Sequence, residues 1–138
     1  MKVLFHHEAF DIDVSSGTVH AAYQWVELLA AFGVTHAAVL NTSGVPWPHH
    51  INLDLTIEEY TDIASFSAAH AGETVIGTSI NAVDHYRGFD YSVGVWVYIG
   101  GTTVTGLTCD YSVGITTHGN RELYPREAAA IILSEALL

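Results

Sequence analysis

Apolar residues fall along this chain in short runs that alternate with stretches of helical spacing. Lys2-Val3-Leu4-Phe5 is a run the length of a buried strand, and the chain turns polar at His6-His7-Glu8. Residues 11–17 read as a turn. Val19, Ala22, Tyr23, Val26, Leu29, Ala30 and Gly33 then recur at helical spacing, which predicts a helix over 18–32 ended by Gly33. His20, Gln24 and Glu27 occupy its opposite face. Residues 34–40 predict a second buried strand, followed by a loop with Pro46 and Pro48 around Trp47. Thr56-Ile57-Glu58-Glu59 has the form of a capping box, which predicts a helix starting at Thr56 and closed by Gly72. Further strands are predicted at 74–78, 93–99 and 113–116. Pro125 suits the first turn of a last helix over 125–137 that is apolar almost all round and so needs cover on more than one side.

Short apolar strands alternating with helices predict a single three-layer α/β domain over 1–138 with a mainly parallel sheet. Ligands of such sheets sit at the carboxyl ends of the strands. Here those ends are Asn41-Thr42-Ser43-Gly44, Thr78-Ser79 and Gly100-Gly101. Asp-Tyr-Ser-Val-Gly occurs twice, at 90–94 and 110–114, and reads as a recurring polar turn before a strand.

Composition narrows the function classes. The 138 residues carry 4 Lys+Arg against 15 Asp+Glu, a formal net charge of −11. The chain is nevertheless 49% hydrophobic and 14% charged, which excludes intrinsic disorder. Phosphate binding needs Lys and Arg, and Lys2, Arg87, Arg121 and Arg126 are all there are. The single Cys109 excludes an internal disulfide framework and a Cys-rich zinc site. No run approaches the roughly 18–20 apolar residues that span a bilayer, and the early polar turn leaves no secretory leader. A soluble, cytoplasmic protein that touches no membrane is the expectation.

Candidate chemistry is sparse. The stretch Gly100-Gly101-Thr102-Thr103-Val104-Thr105-Gly106-Leu107 offers backbone N–H groups and hydroxyls to a ligand, and reads equally as a tight turn. It is not a P-loop, since no Lys follows. His6-His7-Glu8 and His49-His50 lack metal-ligand spacing and read as exposed, solvated histidines, so no metal is expected. His20 and Glu27 share a helix face and are the candidate acid–base pair. Cys109 has no cationic neighbour in sequence to make it a reactive thiolate.

Four segments together carry a family resemblance. Thr74-Val75-Ile76-Gly77-Thr78-Ser79, Phe89-Asp90-Tyr91, Val95-Trp96-Val97-Tyr98-Ile99-Gly100-Gly101 leading to Gly106-Leu107, and the apolar helix from Ala128 to Leu137 resemble the SpoU/TrmH-like proteins of the SPOUT superfamily. These are trefoil-knotted RNA methyltransferases that use S-adenosylmethionine (AdoMet). The helix over 18–32 followed by Phe32-Gly33-Val34 resembles the family's first motif. The resemblance implies a C-terminal knot, an exception to the rule that chains do not thread, and a homodimer. It also implies an AdoMet site held by backbone groups at Thr78, Gly101, Gly106, Ile115 and Leu123.

The departures are as informative as the matches. The family's catalytic Arg falls at or near Glu27, a charge reversal, and its glycine-motif Glu falls at Thr103. Its last-motif Ser-Leu-Asn falls at Glu122-Leu123-Tyr124. Three readings follow. The first is an AdoMet- or nucleoside-binding relative with altered or lost methyltransferase activity. The second is an active methyltransferase on a small or non-RNA substrate, with His20 or Glu27 as base. The third is a non-enzymatic acidic module that binds a protein partner. RNA binding is not expected at neutral pH. Protonating all nine histidines would bring the formal charge from −11 to −2 and weaken the repulsion of polyanions below about pH 6.

Overall fold

In the computed structural model, which describes residues 1–8, 18–100 and 107–138, Val3, Leu4 and Phe5 are fully buried at the middle of one sheet. They belong to β1 (Lys2–His7), which pairs in parallel with β2 (His36–Asn41) on one side and β6 (Trp96–Ile99) on the other. Beyond β2 lies β3 (Thr56–Tyr60). Beyond β6 lie β4 (Val75–Thr78), β7 (Tyr111–Gly114) and the two-residue β5 (Asp84–His85). The order β3-β2-β1-β6-β4-β7-β5 is parallel throughout, so every strand ends at the same side of the domain. The α/β class with a parallel sheet is as expected. The threading loop of the expected knot includes 101–106, outside the described residues.

A parallel sheet must be covered on both faces. Helices α1 (Thr18–Ala31) and α3 (Pro125–Leu137) share one face. There Trp25, Val26 and Leu29 of α1 and Ile132 and Leu133 of α3 bury against Val3, Phe5, Val97 and Ile99. Phe5 stacks on Trp25 at a centroid distance of 4.4 Å. Gly33, at φ +74°, takes the left-handed turn that ends α1, and Val34 N–H reaches back to the Leu29 carbonyl. The second face carries Leu4, Leu40, Trp96 and Tyr98, and α2 (Ile63–Ala69) lays Phe66 onto it.

The predicted helix at Thr56 is corrected: Thr56–Tyr60 is the edge strand β3, and the helix starts seven residues later. Pairing with β2 overrides the local capping pattern. Ile57 turns inward, while Glu58 and Glu59 go to opposite faces and are used by tertiary partners. The cap of α2 is Asp62, whose carboxylate accepts Ser65 N–H at 2.7 Å. β5, too short for any periodicity, is a strand the sequence pattern does not announce. The two Asp-Tyr-Ser-Val-Gly copies diverge. The first is a 3-10 turn capped by Asp90, as expected, but the second forms strand β7 itself. Asp110 turns its carboxylate onto Val75 N–H at 2.9 Å instead of capping a turn.

Glu58 is the hub of an ion network on the α2 face. It accepts hydrogen bonds from Tyr60 and from His36 at 2.5 Å, and pairs with His70 at 2.9 Å; His70 also meets Glu73 at 2.5 Å. Burial pushes the Glu58 carboxyl upward, but the bonds from Tyr60, His36 and His70 outweigh it and hold it at about 2. On the other face, Glu59 is held below its ordinary range by Asn41, Trp47 N–H and His49 against the opposing effect of burial.

Two outcomes are expected. Glu58→Gln should lower stability at pH 7 by about 1–3 kcal/mol, read by urea denaturation. Because the folded value lies below the ordinary 4.5, the stabilisation is complete above 4.5 and fades as pH falls toward 2, so the deficit of the variant should shrink over that window. Where β7 closes on the end of β4, a Cβ on Gly114 would sit 2.6 Å from the Ser79 carbonyl oxygen, a backbone atom that cannot swing away. Gly114→Ala should therefore cost roughly 1–3 kcal/mol, seen as a lower melting temperature.

Candidate functional site

A cavity of about 390 Å³ opens where β4, β6 and β7 end. Its floor is strand backbone. Gly77 and Thr78 of β4 lie beside Tyr98 of β6, followed by Gly100, and beside Ser112 and Val113 of β7. The Thr78 hydroxyl donates to the Tyr98 carbonyl at 3.0 Å, and Ser79 N–H donates to the Val113 carbonyl at 3.1 Å. These bonds splice the three strand ends into one platform. Gly77 is glycine for a steric reason: a Cβ there would lie 2.7 Å from Cys109 Sγ.

The walls come from the chain on either side of the platform. Ile115, Thr117 and Leu123 enclose it on one side, and Ala128 and Ile132 of α3 on another. Thr117 Oγ1 donates to the Arg121 carbonyl at 2.6 Å and closes the 117–121 loop, which turns through Gly119 at φ +69° and Asn120 at φ +53°. Arg121 and Glu122 are exposed at the mouth, so the rim carries both signs of charge over a largely apolar interior. Burial, and then Asp110, push the Cys109 thiol upward, which keeps it a protonated packing residue. Burial, then Cys109 and Glu8, push the Tyr98 phenol up and keep it neutral.

Three of the five positions implied as cofactor contacts, Thr78, Ile115 and Leu123, thus line this one cavity. Gly101 and Gly106 lie outside the described residues. The proposed acid–base pair stands elsewhere. His20 and Glu27 are exposed on α1 and are not among the residues lining the cavity. His20 Nε2 lies 3.1 Å from Gln24 Nε2, and Glu27 hydrogen-bonds Tyr23, raising the Tyr23 phenol through that bond first and charge second.

The histidines at the end of β1 correct an expectation. His6 is 4% exposed and His7 fully buried, not solvated, since β1 runs two residues further than its apolar stretch. His6 Nδ1 meets Glu8 Oε1 at 2.8 Å, and its Nε2 meets Thr42 Oγ1 at 2.7 Å. Among the described residues no group of three or more His, Cys, Asp and Glu side chains is arranged to hold a metal ion. No helix among them is long and apolar enough to cross a membrane. Tyr98 is among the cavity residues that sequence reasoning passed over, because a tyrosine inside the run 95–99 reads as core; its one signal was a hydroxyl two residues before Gly100 at a strand end.

No protein-family model matches the chain, and no curated protein matches it. Solved structures do. The SpoU methyltransferase AviRb from Streptomyces viridochromogenes, in complex with the cofactor AdoMet, superposes with a TM-score of 0.69 at 20% identity, over 99% of this chain and 59% of that one. The A. aeolicus TrmH/SpoU tRNA modifying enzyme gives 0.70 at 18% identity, over 99% of this chain and 73% of that one. An AdoMet-bound rRNA methyltransferase from Sinorhizobium meliloti gives 0.66 at 15%, over 97% and 54%. The chain therefore spans 59% of the length of the AviRb chain it matches over nearly its whole own length. In its fold, this chain is similar to the SpoU/TrmH-like methyltransferases.

Proposed function

We propose that this chain binds AdoMet, or a closely similar nucleoside, in the cavity at the ends of β4, β6 and β7, and that its methyltransferase activity is altered or lost. One observation carries the binding half: Thr78, Ile115 and Leu123, separate in sequence, line a single cavity. The cavity fits such a group. At about 390 Å³ it lies within the roughly 300–1,000 Å³ range of small-molecule sites. Ile115, Leu123 and Ile132 offer apolar walls for a purine, and the Arg121/Glu122 mouth suits a zwitterionic tail. Neighbours of this fold carry AdoMet in their own structures. When bound, the cofactor supplies an electrophilic methyl group; the chain supplies the backbone platform and the enclosure. Gly101 and Gly106 complete the proposed contact set.

Lost or altered activity rests on charge and residue type. Transfer to a ribose hydroxyl needs that hydroxyl activated. By the resemblance, the family's Arg falls at or near Glu27, and its Ser and Asn fall at Glu122 and Tyr124. A formal charge of −11 repels RNA at neutral pH. With His6 and His7 buried, fewer than nine histidines are free to relieve that repulsion in mild acid. His20 and Glu27 as a catalytic pair for a small substrate receive less support, since both stand on an exposed helix face. Pairing of two copies through α3 belongs to the same reading, because Ile131, Ala136 and Leu137 are only half-buried in one copy.

Calorimetric titration with AdoMet and S-adenosylhomocysteine is expected to show saturable heat at micromolar to low-millimolar ligand. No heat at millimolar ligand removes the binding reading. Incubation with labelled AdoMet and bulk tRNA or rRNA at pH 7.5 is expected to give no methyl incorporation. Turnover on either RNA would refute the loss of the ordinary activity while leaving the site in place.

A further inference from the structure

Tyr98 combines three properties found together at no other residue lining the cavity among those described. It is 7% exposed, it lines the cavity, and its hydroxyl is buried without a hydrogen-bond partner among the described residues. A buried hydroxyl left without a partner costs about 1–3 kcal/mol, so a native fold rarely keeps one without a use. The geometry around it is specific. The phenol leans along β6 over Gly100, and the space it occupies is the space a Cβ at position 100 would fill. Glycine at 100 therefore makes room for this hydroxyl at the strand end. Cys109 lies on the same face of the sheet and forms no hydrogen bond with it. Tyr91 shows the contrasting arrangement, its hydroxyl donating to the Tyr86 carbonyl at 2.7 Å.

We propose that the Tyr98 hydroxyl is the side-chain hydrogen bond the cavity offers to its nucleoside-type occupant, a specificity-determining group that favours ligands with a polar atom near Gly100. The inference rests on the binding proposed above and adds the group that reads the ligand. A neutral phenol both donates and accepts, so it serves a ring nitrogen, a ribose hydroxyl or a carboxylate. The burial that leaves it unpaired is also what makes the bond discriminating, because little water competes for it.

The test is calorimetric titration of wild type, Tyr98→Phe and Tyr91→Phe with AdoMet, S-adenosylhomocysteine and adenosine, alongside thermal denaturation without ligand. Tyr98→Phe is expected to melt at or above the wild-type temperature, because it removes an unpaired buried hydroxyl. Its Kd for at least one ligand the wild type binds should rise about 5- to 15-fold, the effect of one lost hydrogen bond. Tyr91→Phe should do the reverse, melting lower with unchanged Kd. Equal affinity in wild type and Tyr98→Phe for every ligand overturns the inference and leaves the binding proposal standing. So does a clear fall in the melting temperature of Tyr98→Phe, which would give the hydroxyl a role in the fold, or an equal affinity loss in Tyr91→Phe. A wild type that binds none of the three overturns both.

Discussion

The whole domain depends on one constraint: a sheet whose strands all run the same way cannot leave either face to water. Each strand needs apolar residues on both sides, and each connection must recross the sheet. Val3, Leu4 and Phe5 satisfy this at the centre, with neighbours Ala37, Ala38 and Val39 on one side and Val97, Tyr98 and Ile99 on the other. Parallel running also gathers all carboxyl ends on one side, where His6 meets Thr42 beyond β2 and Thr78 of β4 meets the Tyr98 carbonyl of β6. The cavity is a by-product of that geometry, refined by glycines at 77 and 100 that let side chains approach closely.

Charge is distributed by the same logic. Glu58, Glu59, His36 and His70, all partly buried, are each tied to a partner near the outer strands. The formal charge of −11 is a property of the sequence that the fold by itself does not explain. Fold and chemistry therefore have to be argued separately here. The architecture follows from burial, whereas any chemistry has to be argued from individual side chains.

Much of the architecture was legible along the chain because burial leaves a periodic trace. Helix α3 was bounded by Pro125 and its apolar run, and α1 by Gly33, so both were readable locally. Strand β3 was not, since Thr56 and Glu59 imitate a helix start and only pairing with β2 decides otherwise. Of the positions that the family resemblance implies, Thr78, Ile115 and Leu123 line one cavity. The site was illegible where a single atom matters. Nothing in the letters around Tyr98 shows that its hydroxyl lacks a partner among the described residues, because that depends on what Gly100 and Cys109 leave open in three dimensions. His6 and His7 were misread as solvated for the related reason that β1 outlasts its apolar segment.

The ion network on β3 has a consequence beyond the energy of folding. β3 lies at the rim of the sheet, and a rim strand is where a foreign strand would add. Glu58 and Glu59 put carboxylates on both faces of that strand, and the hydrogen bonds on Glu58 keep its charge down to about pH 2. An unassisted glutamate would be largely neutral well above that. The carboxylate that fastens β3 to its neighbours thus also leaves a charge on the edge strand in acid, which disfavours strand addition at that edge.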